Sequence, residues 1–198
     1  MIGRLRLDRS GATAAEFALV LPLLLILLLG IIDAGRYLWE INRAEKATQA
    51  GARMAVVTDV ISTGLRTQRY VGVGGLTQGD VIPASALSPL VCSRAACTCS
   101  GNCPTGYATA NSASFDRIVT RMRAMKPDIA ANNVTISYRG SGLGFAGDPN
   151  GMEIAPLVTV ELSNVDFNPL VLFGLVNFNL PAFRTTLTSE DSVGTVSN

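Results

Sequence analysis

Four clustered cysteines have the greatest chemical potential in this sequence. Their spacing is C-x4-C-x-C-x3-C, and they are Cys92, Cys97, Cys99 and Cys103. If the loop lies outside the cytoplasm, an even number of cysteines is typical of disulfides, and two pairings avoid the very tight Cys97–Cys99 ring: Cys92–Cys97 with Cys99–Cys103, or Cys92–Cys99 with Cys97–Cys103. A four-thiolate zinc site is the alternative, although it usually has two C-x2-C pairs, which are absent here. The cysteine loop 92–103 is therefore predicted to hold two disulfides and no metal.

Glu16 is the second residue of chemical interest. It directly precedes the uncharged run FALVLPLLLILLLGII, which extends from Phe17 to Ile32. A carboxylate at membrane depth costs about 2.5–3.5 kcal/mol on insertion scales, so it usually has a partner or a function. Alternatively, Glu16 lies near the membrane surface, where its charge costs little.

Catalysis is not indicated. The sequence has no histidine, so Ser-His and Cys-His nucleophiles are excluded and the commonest metal ligand is missing. The two lysines, Lys46 and Lys126, are expected among the surface charges of amphipathic helices. The chain has 16 basic and 15 acidic residues, a balance that does not select nucleic acid. We therefore predict no enzymatic activity, no cofactor, no small-molecule substrate and no nucleic-acid partner.

The apolar run is long enough to cross a membrane. Together with residues 12–15 it approaches the ~20 residues that span a bilayer core. A cleaved signal peptide is the alternative, with the arginines before residue 11 as its basic region. However, the run exceeds an h-region of ~7–15 residues, and no small-x-small cleavage site follows it. We predict a basic leader at 1–11 and a retained transmembrane helix at 12–35, in contact with the lipid bilayer.

The flanking charges do not decide the orientation of this helix. Three basic residues precede it and three follow it, namely Arg4, Arg6 and Arg9, then Arg36, Arg43 and Lys46. Because disulfides form in oxidising compartments, the cysteines place the C-terminal part outside the cytoplasm and the N-terminus inside.

The helical pattern continues beyond the membrane, over residues 36–57. Mostly small residues recur on one face, at Tyr37, Ile41, Ala44, Thr48, Gly51 and Ala55. We expect this face to pack on the protein's own sheet, with contact to another subunit as the alternative. Arg36 and Glu40 are spaced to form an i, i+4 ion pair.

The remaining residues, 58–198, are predicted to form an exported domain. Residues 58–112 are mostly loop by composition. A short amphipathic helix follows, which Ser112 or Ser114 begins and Pro127 ends. Alternating patterns then predict strands around 134–139, 158–163 and 176–180, with a continuation at 185–187. The fold class is α+β: a long N-terminal transmembrane helix continues into a pilin-like domain with a short helix and a small antiparallel sheet.

Three further patterns carry less weight. Residues 142–147 fit G-x-G-x-x-G, but a turn rather than a helix follows, so nucleotide binding is not expected. Asp148, Asn150 and Glu153 have oxygen ligands suited to calcium, without the spacing of a twelve-residue calcium loop. The apolar segment 168–175 is too short to span a membrane and is either core or a docking patch; we favour core.

Residues 9–57 resemble the TadE/TadG-like family, the pseudopilin-like proteins of tight-adherence (Flp-type) pilus systems. The resemblance begins with RSGATAAEFAL at Arg9–Leu19 and Pro22. It continues through Gly30, Asp33 and Gly35, and through the stretch 44–53 that ends in Gly51-Ala52-Arg53. The C-terminal stretch 180–191 is similar to the family's closing strand.

The resemblance implies a site for prepilin peptidase after Gly11, which leaves Ala12 as the new N-terminus. It also implies that Glu16, the fifth mature residue, pairs in the membrane with the terminal amine of a neighbouring pilin-like subunit. Where Flp-type sites commonly have Glu-Tyr, this chain has Glu16-Phe17. No insertion resembling a von Willebrand type A domain is present.

The resemblance therefore implies a pseudopilin or minor pilin of a bacterial tight-adherence pilus, which serves surface attachment. It would lie in the inner membrane with its C-terminal domain in the periplasm or outside the cell. The alternative function is a monomeric, membrane-anchored binding or adhesion module.

Overall fold

The computed structural model of the chain describes residues 10–149, 151–170 and 178–189. Three α-helices are present there: α1 (Ser10–Val57), α2 (Thr63–Thr67) and α3 (Ser112–Arg123). Short 3₁₀ helices lie at Val73–Gly75, Ala84–Ala86 and Ala131–Asn133. The strands are β1 (Leu90–Cys92), β2 (Cys97–Cys99), β3 (Val134–Arg139), β4 (Leu157–Leu162), β5 (Asp166–Phe167), β6 (Phe178–Asn179) and β7 (Phe183–Thr188). The predicted α+β class is confirmed.

Five strands form one antiparallel sheet in the order β2-β1-β3-β4-β7, and β5 pairs with β6 separately. In the centre of the sheet, Ile136 lies opposite Val160, which in turn lies opposite Thr185 on β7. Side chains alternate between buried and partly exposed along β3 and β4, as the sequence pattern predicts for a sheet with one covered face.

Parts of the predicted strand pattern were wrong. The segment 58–112 was predicted to be mostly loop, and within it the short strands β1 and β2 were not predicted. In the predicted strand 176–180, the described residues form only the two-residue β6, and Val176 lies outside the described residues. The predicted continuation at 185–187 lies within β7, which is the strand that joins β4 in the sheet.

The chain divides into two compact units. We call the described residues 10–41, 166–170 and 178 the helical unit, and residues 42–149, 151–165 and 179–189 the sheet unit. The first part of α1 thus belongs to the helical unit, whereas its last part belongs to the sheet unit.

The core of the sheet unit is closed by α3 and by the last part of α1. The apolar face of α3 is buried through Phe115, Ile118, Val119 and Met122. On α1, the predicted stripe of small residues is buried at Ala44, Thr48, Gly51 and Ala55. A Cβ added at Gly51 would lie 2.7 Å from Met122 Cγ and 3.3 Å from Val160 Cγ1, so α1 contacts both α3 and the sheet. Packing of this stripe on the protein's own sheet is confirmed.

The core of the sheet unit contains a hydrogen-bonded tyrosine. Tyr138 on β3 is fully buried, and its hydroxyl accepts a hydrogen bond from the Ile61 N–H at 3.0 Å. Burial raises the pKa of Tyr138, and the bond from Ile61 only partly opposes this effect. The hydroxyl stays neutral and satisfies a buried backbone donor.

Both ends of α3 differ from the predicted helix. Asn111 caps its start, since its side chain accepts the Ser114 N–H at 3.2 Å, whereas a serine cap was predicted. The helix ends at Arg123, before Met125 and Lys126. Lys126 is only 1% exposed, and its Nζ lies 2.8 Å from Asp128 Oδ2. Its predicted place among surface charges was therefore wrong.

Candidate assembly site in the membrane helix

The residues predicted to act in processing and pairing lie in the first turns of α1. The helix begins at Ser10, so Gly11, Ala12 and Glu16 are all helical. Gly11 is exposed, and a Cβ added there would meet nothing within 4 Å. The Glu16 side chain is exposed too, and no described residue pairs with it. Their proposed roles remain predictions.

The surface that follows Glu16 is apolar on all sides. Every residue from 13 to 32 is exposed, and most are leucine or isoleucine. Among the described helices, α1 is the one that is long and apolar enough to cross a membrane. Water would be a poor solvent for such a surface, whereas lipid chains match it. The chain therefore fits a single-pass membrane protein in contact with lipid.

Carboxylates mark both ends of the uncharged run. Glu16 precedes it and Asp33 follows it, a separation of seventeen residues or about 26 Å along a helix. This length is close to the ~30 Å thickness of the hydrocarbon core. Both acids thus have positions near the two edges of that core, where a charge costs less than at its centre.

Asp33 is the centre of a polar and aromatic cluster in the helical unit. Its Oδ1 accepts hydrogen bonds from the Leu170 N–H at 2.8 Å and from Arg36 Nη1 at 3.1 Å. The guanidinium carbon of Arg36 lies 5.6 Å from the centre of the Phe167 ring, and Tyr37 meets that ring edge-on at 5.3 Å. We call this cluster the Asp33 clasp. Arg36 thus pairs with Asp33, whereas the sequence predicted a pair with Glu40.

The predicted disulfides are present, and the structure selects one of the two open pairings. Cys92 bonds to Cys97, and Cys99 bonds to Cys103. Cys92 and Cys97 are direct partners in the β1–β2 ladder, because the chain reverses between Ser93 and Ala96. The first bond therefore staples the end of a hairpin, and the second ties the loop beyond β2 back to it.

An ion pair fixes the turn of this hairpin to α3. Arg94 in the turn forms a two-pronged contact with Asp116, with Nε–Oδ1 at 2.7 Å and Nη2–Oδ2 at 2.8 Å. The hydrogen bonds from Arg94 lower the pKa of Asp116, so the pair stays charged at neutral pH. The cysteine loop is thus attached to the sheet on one side and to a helix on the other.

Glu153 has a structural role in place of the calcium ligation considered above. It is 2% exposed; its Oε2 accepts the Tyr70 N–H at 2.7 Å, and its Oε1 lies 3.1 Å from Arg69 Nη1. Burial raises the pKa of Glu153, but hydrogen bonds from Tyr70, Gly147 and Arg69 outweigh it and leave the pKa below its usual value. The carboxylate therefore holds the segment around Tyr70 to its own loop.

The described part of the chain contains no cluster of acidic or cysteine side chains suited to a metal ion. Asn150 lies outside the described residues. The glycine-rich segment 142–147 bridges to other loops, at Val81–Phe145 and at Gly144–Ile154, and β4 is the next element among the described residues. It therefore lacks the helix start that a phosphate site of this type needs.

The contacts of two carboxylates were not predicted from the sequence, those of Asp33 in its clasp and those of Glu153. Each carboxylate accepts a backbone N–H from a distant segment, 137 residues away for Asp33 and 83 residues away for Glu153. A signal existed only for Asp33, since an acid directly after a membrane run needs a partner.

Comparison with known proteins gives a match in α1. Residues 11–53 match the family model described as TadE-like protein. No curated protein and no solved structure matches the chain. The match includes Gly11, Ala12 and Glu16, and the resemblance to this family is confirmed. With its TadE-like segment at residues 11–53 and an N-terminal apolar helix, the chain fits a membrane protein associated with the Tad pilus.

Proposed function

We propose that the chain is a pseudopilin or minor pilin that takes part in assembly of a tight-adherence pilus. One observation carries this proposal: Gly11 and Glu16, five residues apart, are exposed in the first turns of α1, at the start of its exposed apolar run and within the TadE-like segment. A simple membrane anchor needs neither a processing site nor an acid at this position.

Processing after Gly11 would create the partner that Glu16 lacks. A prepilin peptidase would release the leader 1–11 and leave Ala12 with a free, charged amine. An amine and a carboxylate are each costly at membrane depth, and they offset that cost when they pair. Pairing between the Ala12 amine of one subunit and Glu16 of the next would therefore favour lateral assembly of helices.

The proposed location is the bacterial inner membrane, with the N-terminus in the cytoplasm and the sheet unit in the periplasm or outside the cell. Support comes from the two disulfides, which persist in an oxidising compartment. We also propose a structural rather than an enzymatic role, because the chain has no histidine and its buried charges hold loops together.

Replacement of Glu16 by Gln tests the pairing. The variant should insert in the membrane at least as well as the wild type, because an amide is cheaper in lipid than a carboxylate. Its assembly should fail, since a buried amine without its counter-charge costs about 3–5 kcal/mol. The measurements are cysteine crosslinking between helices in cells, co-purification with pilus components and N-terminal sequencing of the mature chain.

Glu45→Gln is the matched control, because Glu45 is an exposed acid on the same helix, outside the apolar run. This variant should assemble normally. Normal assembly of Glu16→Gln would refute the pairing role. A mature chain that still begins at Met1 would refute the proposal that the chain is a processed pseudopilin.

A second candidate function is a monomeric binding module on a membrane anchor. A cavity of about 490 Å³ in the sheet unit favours it. Neutral polar side chains, Gln68, Ser85 and Asn102, line it together with apolar ones such as Leu76 and Pro104. This candidate predicts an unprocessed chain that does not crosslink to itself, so the same experiment separates the two functions.

A further inference from the structure

The position of the Asp33 clasp relative to a bilayer follows from the helix that carries it. The uncharged run ends at Ile32, and the residues up to Trp39 extend only about 10 Å further along the axis. The run itself is only about 24 Å long, so a ~30 Å core extends about 3 Å beyond Ile32, and Trp39 falls within the headgroup region outside it. Trp39 is the chain's only tryptophan and is 67% exposed, as expected for an aromatic residue at the membrane surface.

The clasp holds a distant segment at the same depth. Residues 166–170 are attached through the Leu170 N–H to Asp33, and through the Phe167 ring to Tyr37 and Arg36. One contact is a charge-assisted hydrogen bond and the others are aromatic, so both ends of this short segment are fixed to one turn of α1. The segment therefore cannot lie deeper or shallower than that turn.

Large apolar side chains of this unit are nevertheless left uncovered. Leu170 is 54% exposed although its own N–H is bound to Asp33, and Phe178 on β6 is 45% exposed. Phe167 and Pro169, by contrast, are buried. The apolar surface of α1 below them is exposed on every side, so Leu170 continues a surface that already requires lipid.

We propose that Leu170 and Phe178 form a second membrane contact, inserted beside Trp39 into the leaflet at the Asp33 end of the span. The occupant of this surface is the boundary between headgroups and acyl chains, where side chains of this kind bury to a depth of about 5–10 Å. The Asp33 clasp sets the depth of the contact. The proposal depends on the membrane span but not on processing or pilus assembly.

Depth-dependent fluorescence quenching tests the proposal on the full chain in phosphatidylcholine nanodiscs. In a Trp39→Phe background, a single tryptophan replaces Leu170, Leu24 in the middle of the span, or Phe145 in the sheet unit. Phosphatidylcholine brominated near the headgroup end of its acyl chains quenches a tryptophan that lies at the boundary between headgroups and acyl chains. Acrylamide quenches a tryptophan that is exposed to water. Leu170→Trp should be quenched by the brominated lipid and protected from acrylamide, whereas Phe145→Trp should show the opposite pattern.

A change at Asp33 tests whether the clasp sets this depth. Asp33→Ala removes the acceptor of the Leu170 N–H, so the probe at residue 170 should lose lipid quenching and gain acrylamide quenching. Asp33→Asn retains an acceptor oxygen and should preserve the wild-type pattern. Lipid quenching that persists unchanged in Asp33→Ala would refute the positioning role of Asp33.

The Leu24 probe separates failure of the span from failure of the second contact. If lipid quenches Leu24→Trp while Leu170→Trp behaves like Phe145→Trp, the span stands and the proposed contact is refuted. If lipid fails to quench Leu24→Trp, the membrane span is refuted, and the proposed second contact is refuted with it.

Discussion

The two parts of α1 have the same backbone but opposite surfaces. In the helical unit, the residues from 13 to 32 are mostly large and apolar, and all are exposed. In the sheet unit, the stripe formed by Ala44, Ala47, Thr48, Gly51, Ala52 and Ala55 is small, and all of it is buried. If hydrophobicity alone decided burial, the large apolar residues 13–32 would be buried and the stripe of small residues would be exposed.

The difference shows that side-chain volume, rather than hydrophobicity, decides which part of this helix packs on protein. Lipid accepts leucine without any specific fit, so large side chains can point in every direction. A sheet and a second helix must approach the backbone closely, and only small residues leave room for Met122 and Val160. A substitution that adds volume should therefore be harmful in one part of α1 and harmless in the other.

The largest effect is expected from Gly51→Leu. Even a Cβ at this position would lie 2.9 Å from Met122 Sδ, and the remaining atoms of leucine would extend further into the core. Overpacking of this kind costs about 3 kcal/mol. Guanidinium unfolding of the full chain in micelles should show this loss of stability. Faster hydrogen exchange in β3 and β4 should locate it in the sheet unit.

Gly30→Leu is the matched control, because a Cβ at Gly30 would meet nothing within 4 Å. It should leave exchange in β3 and β4 unchanged. An equal loss of stability in both variants would contradict the claim that added volume is harmful only in the buried part of α1.

Removal of either disulfide should have the next largest effect, again confined to the sheet unit. Cys92→Ser with Cys97→Ser opens a loop with a sequence separation of 5, and Cys99→Ser with Cys103→Ser opens one of 4. Loops this short give about 2 kcal/mol each in the chain-entropy model. Thermal unfolding should report this loss, while tryptophan emission from Trp39 should not change. A shift in that emission would show that the disulfides also stabilise the helical unit.

The smallest effect is expected from Glu153→Gln at neutral pH, a loss of about 1–2 kcal/mol from weakened hydrogen bonds to a buried group. Because the pKa of Glu153 is lowered in the fold, its carboxylate stabilises the protein above the unfolded pKa of about 4.3. This stabilisation is lost as the pH falls through the lower, folded pKa.

Unfolding of both proteins between pH 7 and pH 3 checks this sign. The difference in stability should be constant above about pH 5 and should shrink below pH 4. If the difference in stability between the two proteins grows as the pH falls, the lowered pKa of Glu153 in the folded protein is contradicted. Hydrogen exchange in the helical unit should be the same in both proteins at each pH, because Glu153 stabilises only the sheet unit.

Periodicity predicted the parts of the fold that repeat. The uncharged run predicted the span, the spacing of small residues predicted the buried stripe of α1, and alternation predicted β3 and β4. By contrast, β1 and β2 have three residues each, which is too short for alternation to be distinguished from loop. The cysteines suggested disulfides, but their pairing followed from the hairpin register that brings Cys92 opposite Cys97.

The buried polar contacts could not be predicted in the same way. Lys126 follows an amphipathic helix and has the composition of a surface residue, yet the chain turns at Asp128 and covers it. Asp33 and Glu153 each bind a backbone N–H, which any residue but proline can donate, so the sequence does not mark their partners. Only the folded chain reveals which loop each acid holds.

The order of strands in the sheet has a consequence for the newly made chain, which emerges with its N-terminus first. β1 and β2 appear first and pair with each other, β3 then joins β1, β4 joins β3, and β7 joins β4. Among the described strands, each new one thus adds to an edge that is already present, and none has to insert between two paired neighbours. The sheet can therefore grow by one strand at a time as the polypeptide emerges from the membrane, and the second edge of β4 stays unpaired only until β7 follows.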